Sequence, residues 1–131
     1  MEIIQVADKK TIEAFHQVPL RIYQNDSNWI APLRKMVEDI FDSRKNAGFV
    51  DGDARRWLVK DKGKFIGRIA AFYDRSKIEE TDVQAGFIGF FECENNERAA
   101  FLLFDIGRDW LKSEGFTAMD GPANFGENFF N

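Results

Sequence analysis

Residues 90–99 of this sequence combine the features that most often mark a ligand site. They join an apolar segment to an amphipathic one, and Asn95 or Asn96 is a typical N-cap for the helix that follows. The free N–H groups of a helix N-terminus carry partial positive charge and attract anions. The junction is therefore a candidate anion-binding site, although an ordinary strand–helix connection has the same pattern.

The other side chains that often do chemistry are isolated along the chain. Cys93 is the only cysteine, which excludes an internal disulfide and a Cys-based zinc site. A lone cysteine usually packs as a small hydrophobic residue. His16 has no second His or Cys partner nearby in sequence, so we expect no metal site. Arg55 and Arg56 precede a predicted strand and fit either a phosphate contact or a solvated pair.

The first third of the chain predicts one strand and two helices. The strand covers residues 2–6, and Asp8 fits the N-cap of the first helix. We expect Pro19 to end that helix and residues 20–29 to be irregular. Pro32 suits the first turn of the second helix. The apolar face of the second helix is predicted to comprise Leu33, Met36, Val37, Ile40 and Phe41.

The middle of the chain has the periodicity of strands. Residues 56–60 and 65–73 predict two strands joined by a short hairpin turn. Residues 84–93 predict a third strand, and its core, residues 86–91, is apolar on both faces, which is typical of a central strand covered on both sides. A long helix is then predicted to about Glu114, with a glycine stop after it, before a short strand at residues 117–120.

This order of elements predicts an α/β (α+β) fold with a mixed sheet of about five strands flanked by three helices. The last strand should lie parallel to the strand at residues 84–93, because a helix connects the two.

Length and composition limit the classes of protein. The 131 residues fit a single domain, 1–131, and 44% hydrophobic content suits a globular chain. A net charge of −4 and a pI near 5.1 argue against nucleic-acid binding. No apolar run is long enough to span a membrane and the start is unlike a signal peptide, so we expect a cytoplasmic protein without a membrane partner.

Several sequence stretches resemble a known group of proteins. The order of elements is similar to that of the GNAT superfamily of acyl-CoA-dependent N-acetyltransferases. More narrowly, five stretches resemble a bacterial group of longer GNAT-like proteins. These stretches are residues 18–23 (VPLRIY), 28–33 (NWIAPL), 66–71 (IGRIAA), 86–93 (GFIGFFEC) and 121–126 (GPANFG).

The resemblance implies a site for acetyl-CoA or coenzyme A at the junction. In the superfamily, the central strand pairs with the pantetheine arm, and amides of a glycine-rich loop hold the pyrophosphate. Here that loop has no glycine, because Glu97 or Arg98 stands where glycine belongs, so we expect weak binding. The implied cofactor-binding residues are Phe91, Glu92, Cys93, Asn95, Asn96, Glu97, Arg98 and Ala99.

The resemblance also implies a reaction, in which Glu92 is the candidate general base that deprotonates a small amine or peptide acceptor. Superfamily domains continue into a fourth helix, which often carries a tyrosine acid, and two more strands. The chain ends before them, so we expect it to be truncated and inactive when isolated. We also expect Tyr23 and Tyr73 to lie away from the junction.

Truncation would leave the strand at residues 86–91 and the tail residues Phe125, Phe129 and Phe130 uncovered, which predicts a homodimer. The alternative function is a non-catalytic interaction or oligomerisation module with the same fold.

Overall fold

The computed structural model describes residues 1–80, 82–123 and 125–126. Phe129 and Phe130 lie outside the described residues. Five strands form one mixed sheet in chain order, antiparallel for the first three pairings and parallel between the last two. The strands are β1 (Glu2–Gln5), β2 (Gly52–Asp61), β3 (Lys64–Asp74), β4 (Ala85–Cys93) and β5 (Ala118–Asp120). The helices are α1 (Lys9–Ile22), α2 (Arg34–Ile40) and α3 (Glu97–Ser113). The predicted fold class is confirmed.

Local sequence signals set several of these boundaries. Lys62 and Gly63 have φ values of 51° and 79°, as the tight turn of the β2–β3 hairpin requires. Asp8 caps α1 through a reciprocal capping box with Thr11. At the end of α3, the Phe116 amide donates to the Leu111 carbonyl at 3.0 Å, which is the Schellman stop that the sequence predicts.

The most buried strand is β3 rather than β4. Ile69, Ala70 and Ala71 of β3 are fully buried, whereas most residues of β4 are only partly buried. β3 is the middle strand of the described sheet. β4 is still an interior strand, as predicted, because it lies between β3 and β5 and contacts both α1 and α3.

The helices cover the two faces of the sheet. On one face, α3 packs through Leu103 and Trp110 against Trp57 and Ile69. On the opposite face, α1 and α2 pack around Phe15. Of the apolar face predicted for α2, Val37 and Ile40 are buried, but Leu33 is 68% exposed and Met36 is 38% exposed. The short α2 therefore buries only part of its predicted face.

Pro19 lies inside α1 instead of ending it. A proline cannot donate to the carbonyl four residues earlier, here the carbonyl of Phe15. The Arg68 guanidinium on β3 donates to that carbonyl at 3.0 Å, so the freed acceptor is satisfied. The helix therefore continues to Ile22 rather than giving way to an irregular segment, and the Tyr23 amide closes it on the Pro19 carbonyl.

A half-buried carboxylate links α1, α2 and β2. Glu38 accepts from His16 at 2.7 Å and from Arg56 at 2.6 and 3.1 Å. Arg56 also stacks over Phe41, so it is neither a solvated residue nor free for phosphate, whereas Arg55 is exposed and lies over Trp110. No cluster of ligands that could hold a metal ion occurs among the described residues.

We expect Glu38 to make folding acid-sensitive. Burial alone would raise the pKa of Glu38, but the bonds from His16 and Arg56 lower it from the ordinary 4.5 to about 2. A depressed folded-state pKa contributes stability that is present above pH ~4.5 and lost as pH falls toward ~2, on the order of 3 kcal/mol. Urea titrations across this range measure the loss. Glu38→Gln should flatten that part of the profile, and an unchanged profile in the variant would contradict the assignment.

Phe125, which follows β5, is part of the core. The Phe125 ring is 2% exposed and contacts Phe49 and Phe72, and the Asn46 amide donates to its carbonyl at 3.1 Å. The prediction that Phe125 is uncovered is therefore wrong. The Phe125 side chain packs among aromatic rings, including that of Phe72, from residues that are distant in sequence.

Self-association stays a prediction, based on Phe91, on Phe101 and on the outer edge of β5. Phe91 is 36% exposed and Phe101 is 58% exposed, and β5 pairs with no described strand on its outer edge. Edges and apolar patches of this kind are commonly covered by another copy. We expect light scattering at tens of micromolar to give the mass of a dimer. A strict monomer at that concentration would refute the prediction.

No helix in the described part of the chain is long and apolar enough to cross a membrane.

Candidate functional site

A β-bulge distorts β4 shortly before its end. Ala70 of β3 faces Gly89 and Arg68 faces Glu92, so one β3 residue lies opposite two residues of β4. Phe90 in the bulge has a φ of 55°, a left-handed conformation that is unusual for a residue with a side chain. Bulges redirect the side chains beside them and occur often next to functional sites.

Beyond the bulge, β4 separates from β5. The two strands pair only at residues 85–87 and 118–120, and the last bond across the gap runs from the Ala123 amide to the Ile88 carbonyl at 3.0 Å. A Cβ on Gly89 would lie 2.5 Å from the Ala123 carbonyl oxygen, so a glycine is needed where the two segments part. From Glu92 to Cys93, no described strand pairs with the outer edge of β4. This opening is called the β4–β5 cleft below.

Glu92 lies directly after the bulge, on the face covered by α1. Its carboxylate accepts a hydrogen bond from the Tyr23 hydroxyl at 2.7 Å. That bond, followed by burial and the charge of Glu92, raises the pKa of Tyr23, so the hydroxyl stays protonated at neutral pH. The Tyr23 ring stacks on Trp29 with centroids 4.9 Å apart.

The expectation that Tyr23 lies away from the junction is wrong. Because α1 continues beyond Pro19, Tyr23 lies at the end of β4. A helix that ended at Pro19, as predicted, would not place Tyr23 there. Tyr73 does lie away from the junction, because its hydroxyl donates at 3.0 Å to Glu114 near the opposite end of α3. No local signal in the sequence indicates the contact between Tyr23 and Glu92, which are 69 residues apart.

Arg68 is the cross-strand neighbour of Glu92 and is almost completely buried. It donates through Nε to the Phe90 carbonyl in the bulge at 3.0 Å, in addition to its bond to the Phe15 carbonyl. Burial lowers the pKa of Arg68 to about 10, with the Glu92 charge acting in the opposite direction. The side chain therefore remains a cation at neutral pH and ties α1 to the bulge.

The loop between β4 and α3 leaves few backbone donors free. Asn96 is the N-cap, and its side chain accepts from the Ala99 amide at 3.0 Å. The Ala99 amide is therefore occupied, whereas the amides of Glu97 and Arg98 have no hydrogen bond among the described residues. Asn95, Glu97 and Arg98 are exposed, and Arg98 forms no ion pair with a described carboxylate.

The negative charge of this loop is partly compensated. Arg21 and Lys64 lie 3.6 and 3.4 Å from the Glu94 carboxylate. Glu92 accepts from Tyr23 and faces Arg68. Of the carboxylates of Glu92, Glu94 and Glu97, only that of Glu97 lacks a nearby cation or donor among the described residues. These contacts reduce the repulsion that an anion at this helix N-terminus would meet.

Phe91 and Cys93 point toward α3 rather than toward Tyr23. The Phe91 ring stacks on Phe104 with centroids 4.6 Å apart. Cys93 packs against the core cluster that includes Leu103. Burial, and then the charge of Glu94, raises the pKa of the Cys93 thiol, so the thiol stays protonated and uncharged. This supports the interpretation of Cys93 as a small hydrophobic residue.

The fold is shared with structures of acetyltransferases. A tandem GNAT protein from the clavulanic acid biosynthesis pathway matches 94% of this chain at a TM-score of 0.67 and 12% identity, over 39% of its own length. The aminoglycoside acetyltransferase AAC(6')-Iy, in complex with a bisubstrate analogue, gives a TM-score of 0.65 at 12% identity over 94% of this chain and 79% of its own. A predicted acetyltransferase with acetyl-CoA from Clostridium acetobutylicum gives 0.61 at 15% identity over 98% and 85%. The chain has the GNAT acetyltransferase fold.

One relative is similar in sequence as well. Protein YghO of Escherichia coli strain K12 is 30% identical over 121 residues, which cover 92% of this chain and 31% of YghO. The chain therefore spans about a third of the length of this relative. No protein-family model matches the chain.

Proposed function

We propose that this chain carries an acetyl-CoA-dependent N-acetyltransferase site in the β4–β5 cleft. The observation that supports it most is the combination, at one place, of an unpaired strand edge, a helix N-terminus and the Tyr23–Glu92 pair. Structures with the same fold are described with coenzyme A or acetyl-CoA. An N-acetyltransferase transfers an acetyl group to nitrogen, so the proposed acceptor is an amine.

The residues around the cleft fit such a cofactor. The outer edge of β4 after Ile88 offers backbone groups to an amide-containing arm. The free amides of Glu97 and Arg98, with the Arg98 guanidinium, suit a phosphate. The absence of a glycine in this loop keeps the backbone further from a phosphate, which supports weak binding. When bound, the cofactor supplies an activated acyl thioester.

Glu92 is assigned the role of the general base. It lies at the bulge, where its carboxylate is held by the Tyr23 hydroxyl, and it takes a proton from the acceptor amine. Because Tyr23 remains protonated, it orients this carboxylate without competing for the proton. The sequence predicts an inactive isolated chain, partly because it predicts no tyrosine near the site. With Tyr23 beside Glu92, we expect slow turnover.

The test of cofactor binding is a shift in melting temperature with coenzyme A, since a ligand that binds only the native state raises it. We expect Glu97→Gly to bind coenzyme A more tightly by about 1–2 kcal/mol, because it removes a negative charge and allows closer backbone approach. Glu97→Gln is the matched control, since it removes the charge alone. Calorimetry that finds equal affinity in all three proteins would contradict the proposed phosphate position.

The same experiment separates the two functions. An enzyme site requires binding of coenzyme A by the unaltered chain. A folded chain that coenzyme A does not stabilise at millimolar concentration would refute the proposal and favour the non-catalytic interaction module.

A further inference from the structure

The buried guanidinium of Arg68 has unused hydrogen-bonding capacity. Arginine has five N–H donors, and Arg68 donates two of them to the carbonyls of Phe15 and Phe90, so three have no acceptor among the described residues. The side chain is only 7% exposed and forms no ion pair with a described carboxylate. A buried cation with unused donors is costly unless an anion or water meets it.

A cavity of about 90 Å³ lies beside this guanidinium, between α1 and the segment that leads into α2. It has room for several waters, or for a carboxylate and the carbon that bears it. Its walls are mostly apolar, and no described carboxylate lines it. The lining residues are His16, Pro19, Leu20, Trp29, Ala31, Pro32, Arg34, Val37 and Arg68.

The charges around the cavity favour an anion. Arg68 supplies the charge, because Arg34, which also lines the cavity, is already paired with Glu13. Glu92 faces Arg68 from β4 but accepts from Tyr23, and Glu38 accepts from His16 and Arg56. A guanidinium fork matches a planar carboxylate and binds it more strongly in a desolvated site than at a surface.

Two residues that line the cavity, Trp29 and Arg68, connect it to the proposed general base. Trp29 lines it and stacks on Tyr23, whose hydroxyl contacts Glu92. Arg68 itself faces Glu92 across β3 and β4. A molecule anchored by a carboxylate at Arg68 would therefore extend toward the carboxylate of Glu92, where an attached amine is favoured by charge and can be deprotonated.

We propose that Arg68 and this cavity bind the carboxylate of the acyl acceptor, so that the acceptor is an amine that also carries a carboxylate, such as an amino acid. The inference rests on the proposed function for the identity of the reaction. The anion site itself is independent of turnover and of coenzyme A.

The test compares two probes of the same shape, N-acetylglycine and N-acetylglycinamide, which differ in the carboxylate. At constant ionic strength, calorimetry should detect binding of N-acetylglycine and none of the amide. Ala31→Leu adds three carbons to a residue that lines the cavity and leaves Arg68 unchanged, whereas Arg68→Gln removes the charge. Each should weaken binding about tenfold or more. Ala47→Leu, an exposed alanine outside the cavity, should bind as the unaltered chain does.

Equal binding of both probes, no binding by the folded chain, or unchanged affinity in Ala31→Leu would each overturn the inference. If Arg68→Gln unfolds because two carbonyls lose their donor, Ala31→Leu still decides the question. Coenzyme A is titrated into the same samples. If the chain binds coenzyme A but not N-acetylglycine, only the acceptor site is refuted. If it binds N-acetylglycine but not coenzyme A, only the proposed cofactor site is refuted.

Discussion

Replacing Glu92 with glutamine is expected to lower kcat for acetyl transfer about 10²–10⁴-fold, the usual contribution of a positioned general base. The amide cannot take the proton of an acceptor amine, while it preserves the size of the side chain and can still accept from Tyr23. Release of free thiol from acetyl-CoA, followed with a thiol-detecting reagent over a panel of amines, measures the effect.

The chain contains a matched control for this substitution. Glu114 also accepts from a tyrosine, Tyr73, but near the C-terminal end of α3. Glu114→Gln should leave kcat within about twofold, because it removes a similar bond outside the site. Similar activity in Glu92→Gln and Glu114→Gln would refute the role of Glu92. So would a chain that binds coenzyme A and turns over no amine.

Truncating Phe125 to alanine is expected to destabilise the fold by about 3–5 kcal/mol, as for other buried phenylalanines. The ring is almost completely buried and contacts both Phe49 and Phe72, so its removal leaves a cavity beneath the segment after β5. Chemical denaturation followed by circular dichroism gives the free energy of unfolding.

Phe101→Ala is the control for this second experiment. Phe101 lies on α3 and is 58% exposed, so its truncation should cost less than about 1 kcal/mol. If Phe125→Ala were as mild as Phe101→Ala, the packing of Phe125 against the sheet would be refuted.

The elements that the sequence predicted correctly are those with local signals. The β2–β3 turn follows from Lys62 and Gly63, and the start and end of α3 follow from Asn96 and Gly115. In each of these cases the residues that decide the conformation are within a few positions of one another. The parallel pairing of β5 followed from the helix between the two strands.

The candidate site was predicted in part. Its location at the end of β4 and the side chain of Glu92 follow from the sequence and its family resemblance. The bulge at Phe90, the contact with Tyr23 and the burial of Arg68 do not, because they depend on residues 22 to 69 positions apart. The prediction that Pro19 ends α1 applied a sound local rule, which a tertiary hydrogen bond overrode.

The bond from Arg68 to the Phe15 carbonyl makes the last turn of α1 conditional on the sheet. As an isolated peptide, this segment would leave that carbonyl to water and would fray at Pro19. The extension of the helix to Ile22, which brings Tyr23 to β4, therefore depends on β3. The stability of the site is coupled to that of the β2–β3 hairpin, so a substitution that weakens the hairpin also weakens the contact between Tyr23 and Glu92.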